Sequence, residues 1–302
     1  DIRNDEACYR YSGLAMTNVT VAPSPEWLQN RLKAVGLNPI NNLVDISNYV
    51  LLETGQPLHF FDADKIKGNR VTIQKLKEGT PFVSLDDQEI KVSAEDLMIC
   101  DSEKPMCIAG VIGGSNSGVT ENTKNLFIES AYFEPKHIRN TAKRHGFNTD
   151  ASYRFERGAD PNNTIYAMKR AALLVKEIAG GRISSDIVDQ YPIYVENLKI
   201  NLSLEHLYQI TGIKIPLSSV KNILKHLDFN ILEETSQHIR LRVPTYRVDV
   251  TREVDVVEEI LRIYGYNKVE TPDKLNATLT HSEGIDTDKY NEKIATILTG
   301  KG

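Results

Sequence analysis

Cysteine is scarce: Cys8, Cys100 and Cys107 are the three in 302 residues. The number is odd and no Cys-x-x-Cys pair occurs, which argues against a disulfide framework or a zinc ribbon and fits a reducing compartment. Long apolar runs are missing as well. None approaches the roughly 18 residues that a membrane-spanning helix needs. There is no excess of basic charge: 36 Lys and Arg against 41 Asp and Glu leave a formal net charge of −5. That argues against a free-standing protein held on nucleic acid by a strongly basic surface, though not against RNA presented by other domains. Asp1 to Asp5 show neither an initiator Met nor a signal-peptide core, so the chain reads as a piece of a longer protein. Internal repeats and low-complexity tracts are absent.

What is present suits a soluble globular protein: 40% hydrophobic and 25% charged residues. At about 150 residues per domain the length suggests two domains. Ser24-Pro25-Glu26 opens a helix, with Leu28, Leu32 and Val35 on one face and Gly36 at its end. Residues 70–76 and 81–92 read as strands with turns at Glu78-Gly79 and Asp86-Asp87. A buried strand from Met106 runs into the glycine-rich stretch Ala109-Gly-Val-Ile-Gly-Gly114, and residues 126–131 form another apolar strand. A helix opens at Asp160-Pro161 and ends at Gly180-Gly181. A boundary falls near 186–196. Beyond it come a helix capped by Ser218, two short strands around 229–233 and 238–243, and a helix from about Glu253 to Tyr264. From Thr271 the sequence turns polar and reads as a linker. The fold class expected is α+β: a mixed α/β module over 1–188, a small helix-rich, winged or nucleic-acid-binding-like domain over 195–268, and a linker or the start of another domain over 269–302.

Four segments invite both a plain and a functional reading. Residues 41–62 mix Asp45, Ser47, Asn48, Glu53, Gln56, His59 and Asp62 with apolar residues. They form either a hydrogen-bonded loop or a pocket lined by Ser47, Asn48 and His59. The stretch from Ala109 to Gly114 matches neither the phosphate-loop nor the dinucleotide pattern, so it is a tight turn or a place where backbone approaches a ligand. Glu129 sits between Ile128 and Ser130, where an unpaired carboxylate is costly. It pairs with an arginine of residues 149–158, or it faces a pocket as a recognition acceptor. Asp255, Glu258 and Glu259 share a helix face with Asp249 just upstream. They are hard oxygen ligands suited to Mg2+, or a face neutralised by Arg262.

Longer motifs resemble the β subunit of bacterial phenylalanyl-tRNA synthetases. They are Val44-Asp-Ile-Ser-Asn-Tyr-Val, Glu53-Thr-Gly-Gln-Pro-Leu-His, Gly110-Val-Ile-Gly-Gly, Thr149-Asp-Ala-Ser-Tyr-Arg-Phe-Glu-Arg-Gly, Val243-Pro-Thr-Tyr-Arg-Val-Asp and Asp255-Val-Val-Glu-Glu-Ile-Leu-Arg-Ile-Tyr-Gly-Tyr. The resemblance spans residues 3 to 268. Phe60, where the family more often has a small residue, departs from the pattern beside His59.

The resemblance implies an α2β2 heterotetramer in the cytoplasm, with the α subunit carrying aminoacylation. ATP is used by the whole enzyme and not bound by this stretch. It also implies tRNA(Phe) as partner, no membrane association, and an editing site that hydrolyses mischarged tyrosyl-tRNA(Phe). That site falls on His59 and Asn48 as catalytic residues and on Ser47, Ala109, Gly110, Glu129 and Ala151 as substrate-binding residues. A Mg2+ site shared with α falls on Asp249, Asp255, Glu258 and Glu259. A pocket built to bind one hydroxyl discriminates strongly, because the competitor leaves a buried acceptor unpaired. The alternative is a non-catalytic tRNA- or subunit-binding module with a vestigial pocket. A stand-alone metallohydrolase is disfavoured, because the acidic set and the polar pocket lie in different units.

Overall fold

A computed structural model of the protein describes residues 1–269 and 286–302. Strand β1 (Cys8–Thr17) leads into helices α1 (Glu26–Ala34) and α2 (Asn42–Thr54), then strand β2 (Leu58–Asp62). Six short strands follow: β3 (Thr72–Lys75), β4 (Thr80–Val83), β5 (Glu89–Val92), β6 (Leu97–Cys100), β7 (Pro105–Ile108) and β8 (Ile112–Gly113). Strand β9 (Asn125–Phe133) precedes helices α3 (Pro135–His145), α4 (Asp150–Phe155) and α5 (Thr164–Ile178), and strands β10 (Arg182–Ile183) and β11 (Val188–Gln190) both pair with β1.

The main sheet is antiparallel in the order β10-β1-β9-β2. Alternation along its strands sends side chains to two faces. Leu14, Met16, Phe60, Leu126 and Ile128 meet α1, α2 and α5 in one core. Tyr11, Phe61, Ala131 and Phe133 meet the second sheet, β3-β6-β7-β8, in another. Glu129 lies between Ile128 and Ser130, so alternation turns it toward this second face.

Local chemistry sets the helix ends. The Asn41 side chain accepts hydrogen bonds from the backbone N–H groups of Leu43 and Val44, and Gly55 closes α2 in the left-handed region. The segment 41–62 is therefore a capped helix followed by a strand, not the loop of its plain reading. Its polar residues are largely answered. Ser24 donates to Asp45 at 2.5 Å, Arg170 pairs with Glu53, and Thr123 donates to Asp62. Ser24 and Ser218 do not cap helices; those positions fall to Pro25 and Pro216. Phe60 is buried in the helical core, on the face opposite His59, so this departure from the family pattern does not reach the cleft beside His59.

Residues beyond 198 build their own core. Strand β12 (Lys199–Ser203), helices α6 (Leu204–Thr211) and α7 (Leu217–His226), strands β13 (Asn230–Glu234) and β14 (His238–Arg242) and helix α8 (Glu253–Tyr264) enclose Leu202, Leu207, Leu224, Ile239, Leu241 and Ile260. The sheet has three strands, β12-β14-β13, rather than the two expected. Helices and antiparallel sheets together make the chain α+β, as expected. The linker expected from Thr271 lies outside the described residues up to 285. After that, helix α9 (Thr287–Thr299) occupies part of it. Among the described residues no helix is long and apolar enough to cross a membrane.

Candidate functional site

A small cleft of about 70 Å3 opens where β2, β9, the β7–β8 turn and α4 meet. His59, Glu129, Gly110 and Ala151 line it, together with Cys107, Ile112 and Phe155. The register of the sheet creates it. His59 pairs across from Glu129, and on the other side Glu129 pairs with Gly13, which brings no side chain. At Gly110 the backbone is left-handed (φ +66°), and a Cβ would meet Phe133, Ile138 and Phe155 at 2.8–3.0 Å. At Gly113 a Cβ would stand 2.7 Å from the His59 ring. Both glycines therefore permit close packing of the turn on the cleft wall. Thr149 joins α4 to this turn by donating to the Val111 carbonyl at 2.7 Å and caps α4 with its own side chain.

The three ionisable groups that line the cleft, Glu129, His59 and Cys107, are all held in an unusual state. Glu129 is 5% exposed, and Oε2 accepts the hydroxyl of Tyr11 at 2.8 Å. Burial raises its carboxyl to about 8, with the Tyr11 bond pulling the other way. The arginines of residues 149–158 do not reach it. Arg154 pairs with Asp150, and Arg157 pairs with Glu156 and lies over the Tyr153 ring. The ion-pair reading of Glu129 is thus corrected. Burial lowers His59 to about 4, so its imidazole is neutral at ordinary pH. Its Nε2 is sealed from solvent and has no hydrogen-bond partner among the described residues. The ring packs edge-on against Phe61 at 4.4 Å. Burial also pushes the Cys107 thiol well up, which leaves it unreactive.

Three expected site residues stand elsewhere. Ser47 and Asn48 lie half-buried on α2 and are not among the residues that line the cleft, and the Ser47 hydroxyl donates to the Val44 carbonyl at 2.8 Å. Ala109 is buried in the core beside Gly110 and does not line the cleft. Tyr11 was not anticipated. Its signal was weak, an aromatic pair Tyr9 and Tyr11 at strand spacing in a segment without clean alternation.

The acidic set on α8 is arranged differently from the expectation. Arg247 donates to Asp249 and to Glu259, at 2.8 and 3.0 Å, and Arg262 donates to Glu259 at 2.6 Å. Arg252 pairs with Asp255 at 2.9 Å, while Asp255 Oδ2 also accepts the backbone N–H groups of Thr251 and Arg252. These bonds, Arg252 first, hold Asp255 down at about 2. Glu258 is exposed. Among the described residues no three His, Cys, Asp or Glu side chains gather as a metal site. The carboxylates of the expected Mg2+ set, Asp249, Asp255, Glu258 and Glu259, are accordingly not gathered as one cluster here. Three of them are answered by guanidinium groups, and the set does not fit the ion as arranged.

Residues 7–180 match the family model of the B3/4 domain, and residues 200–266 that of the tRNA synthetase B5 domain. A phenylalanine–tRNA ligase beta subunit from Bacteroides thetaiotaomicron is 53% identical over 302 residues, covering 100% of this chain and 37% of its own. That of Porphyromonas gingivalis is 52% identical over 298 residues, 98% of this chain and 36% of its own. A solved N-terminal fragment of the phenylalanyl-tRNA synthetase beta subunit from Pyrococcus horikoshii covers 87% of this chain and 72% of that one, at 16% identity and TM-score 0.40, too loose a likeness to compare sites. The chain thus spans little more than a third of the length of the curated relatives it matches. With both domain matches in order and relatives over half identical along its whole length, the chain belongs to the family of the bacterial phenylalanine–tRNA ligase beta subunit.

Proposed function

We propose that this chain carries the editing site of a phenylalanine–tRNA ligase, hydrolysing tyrosyl-tRNA(Phe) to free tyrosine and tRNA(Phe). The ligase would be assembled with an α subunit that holds the aminoacylation chemistry and uses ATP. The observation that carries this reading is Glu129, a carboxyl buried on the cleft wall that has, among the described residues, no cation beside it and one oxygen without a partner. Phenylalanine and tyrosine differ by one hydroxyl, and a buried acceptor of this kind separates them because phenylalanine leaves it unpaired.

Hydrolysis adds water across the aminoacyl ester and needs no protein nucleophile. Cys107 is held as a neutral thiol by burial, and the His59 imidazole is neutral with an unpartnered Nε2. A neutral imidazole can orient water or a ribose hydroxyl, and for His59 this requires the substrate to open access to the sealed Nε2. The left-handed turn at Gly110 brings backbone close to the space, as stabilisation of a developing oxyanion requires. Ser47 and Asn48 are not among the residues that line the cleft, so a role for them at the ester end requires α2 to contribute from outside its present lining.

The test is release of tyrosine from tyrosyl-tRNA(Phe) by the full-length subunit assembled with its partner. Turnover of the tyrosyl ester above the phenylalanyl ester, lost in Glu129→Ala, supports the reading. Equal or absent turnover of both esters would leave a binding module.

A further inference from the structure

The Tyr11 hydroxyl lies 2.8 Å from Glu129 Oε2, between two buried residues on neighbouring strands. Gly13, two residues beyond Tyr11 on β1, is the direct partner of Glu129, so the tyrosine reaches across the ladder diagonally over a position that carries no side chain. Oε2 is thereby occupied from inside the protein. Oε1 accepts no hydrogen bond among the described residues and is not one of the atoms sealed from solvent without a partner. The two oxygens of one carboxyl are thus divided between the protein and the cleft.

We infer that Tyr11 is a positioning residue for substrate selection: its hydroxyl fixes the Glu129 carboxyl so that Oε1 alone is presented to a phenol hydroxyl entering the cleft. The nature of that ligand rests on the editing reading above. A carboxyl anchored at neither oxygen can turn about its terminal torsion and meet the ligand in many geometries. Anchoring it beforehand removes that ordering cost from the binding step. The anchor is rigid, because the Tyr11 ring is buried. It also walls a separate cavity of about 470 Å3 with Gly13 and Phe127. A phenylalanine at position 11 keeps that wall and removes only the anchor.

The ionisable groups around Glu129 are few. Tyr11 and Cys8 face it from β1, Cys107 from β7 and His59 from β2. Burial holds the thiols and the phenol neutral and leaves the imidazole uncharged. The Tyr11 bond is accordingly the main influence favouring the ionised carboxylate.

The experiment compares Tyr11→Phe with the unsubstituted protein and with Glu129→Gln, all as full-length subunit assembled with its partner, on tyrosyl- and phenylalanyl-tRNA(Phe) from pH 6 to 9. Tyr11→Phe is expected to lower the ratio of the two kcat/KM values by about two- to tenfold, the effect of one hydrogen bond. It should lower tyrosyl-ester turnover more than phenylalanyl-ester turnover and move the pH dependence of the ratio upward. An unchanged ratio and pH profile, with the ratio still lost in Glu129→Gln, would overturn the role of Tyr11 while the editing reading stands. Equal loss on both esters with a lowered melting temperature would also overturn it, in favour of a purely structural tyrosine. No preference in the unsubstituted protein would remove both readings together.

Discussion

Glu129 and Glu259 are buried to nearly the same degree, 5% and 8% exposed, and are in opposite chemical states. Glu259 has two guanidinium groups, Arg262 and Arg247, and they hold its carboxyl below the usual range. Glu129 has one phenol, and burial carries it to about 8. Burial alone therefore does not decide what a carboxyl does. On α8 the arginines complete the carboxylate and leave it little to offer a ligand. In the cleft the company is left incomplete, and that is where a substrate can supply what is missing.

The largest consequence of this contrast is in the pH dependence of stability. A carboxyl raised from its usual value near 4.5 to about 8 keeps its proton in the folded chain over a range where the unfolded chain has lost it. Stability contributed by the protonated form is full below about 4.5 and falls as pH rises toward 8. His59 acts in the other direction: with its folded value near 4, stability is lost as pH falls from about 6.5 to 4. The two oppose each other in mildly acidic solution, and between about pH 6.5 and 8 the Glu129 contribution is no longer offset by His59. Urea unfolding of Glu129→Gln across that interval should show a flatter profile than the unsubstituted chain, by about 1–2 kcal/mol. Parallel profiles would mean that Glu129 is ionised in the folded state.

Next in size is substrate preference. Above about pH 8, where the carboxyl is charged, Glu129→Ala should reduce discrimination for the tyrosyl ester by about ten- to a hundredfold, the range for a hydrogen bond to a charged acceptor. The ratio of kcat/KM values for the two esters measures it. Smaller again is Arg247→Ala, which leaves Glu259 with Arg262 alone and Asp249 unpaired. A loss of about 1–3 kcal/mol is expected, read as a lower melting temperature and weaker at high salt. The smallest effect belongs to Glu258→Ala. Its side chain is exposed beside the buried Glu259, and its melting curve should overlay that of the unsubstituted protein. A clear shift there would show that the two neighbouring carboxylates are not as different as their surroundings indicate.

Helices α5 and α8 were legible from apolar spacing with a glycine just past the end, whereas α2 and α6, which end at Gly55 and Gly212 in the same way, were not, because polar residues interrupt the apolar spacing of α2 and α6 is only two turns long. The cap residues were less legible, because a proline takes the N-cap position that a nearby serine suggests, Pro25 after Ser24 and Pro216 two residues before Ser218. Strand β12 carried a readable alternation, Ile200 and Leu202, but its shortness hid it. At the cleft, His59, Gly110, Glu129 and Ala151 converge from four separate segments. Those residues could be named from the sequence because their motifs resemble a family, while their meeting depends on strand register. Tyr11 shows the limit: nothing local in β1 tells that its hydroxyl meets a carboxyl 118 residues away. The α8 face shows the converse. Its carboxylates were readable as a group, but Arg247, which binds two of them, arrives from the loop before the helix.

The row Gly13, Glu129, His59 crosses three strands, and the next row is Leu14, Ile128, Phe60. Chemistry and core are thus interleaved on one ladder, one residue apart. A sheet of this kind has almost no tolerance for changes in length. Removing a single residue within β9 would exchange the two rows beyond that point, putting a carboxyl into the helical core and an isoleucine into the cleft. A substitution in the cleft changes one side chain and leaves the register of the sheet intact. A change in the length of β1, β2 or β9 does not, and insertions or deletions should accumulate in the connections outside them.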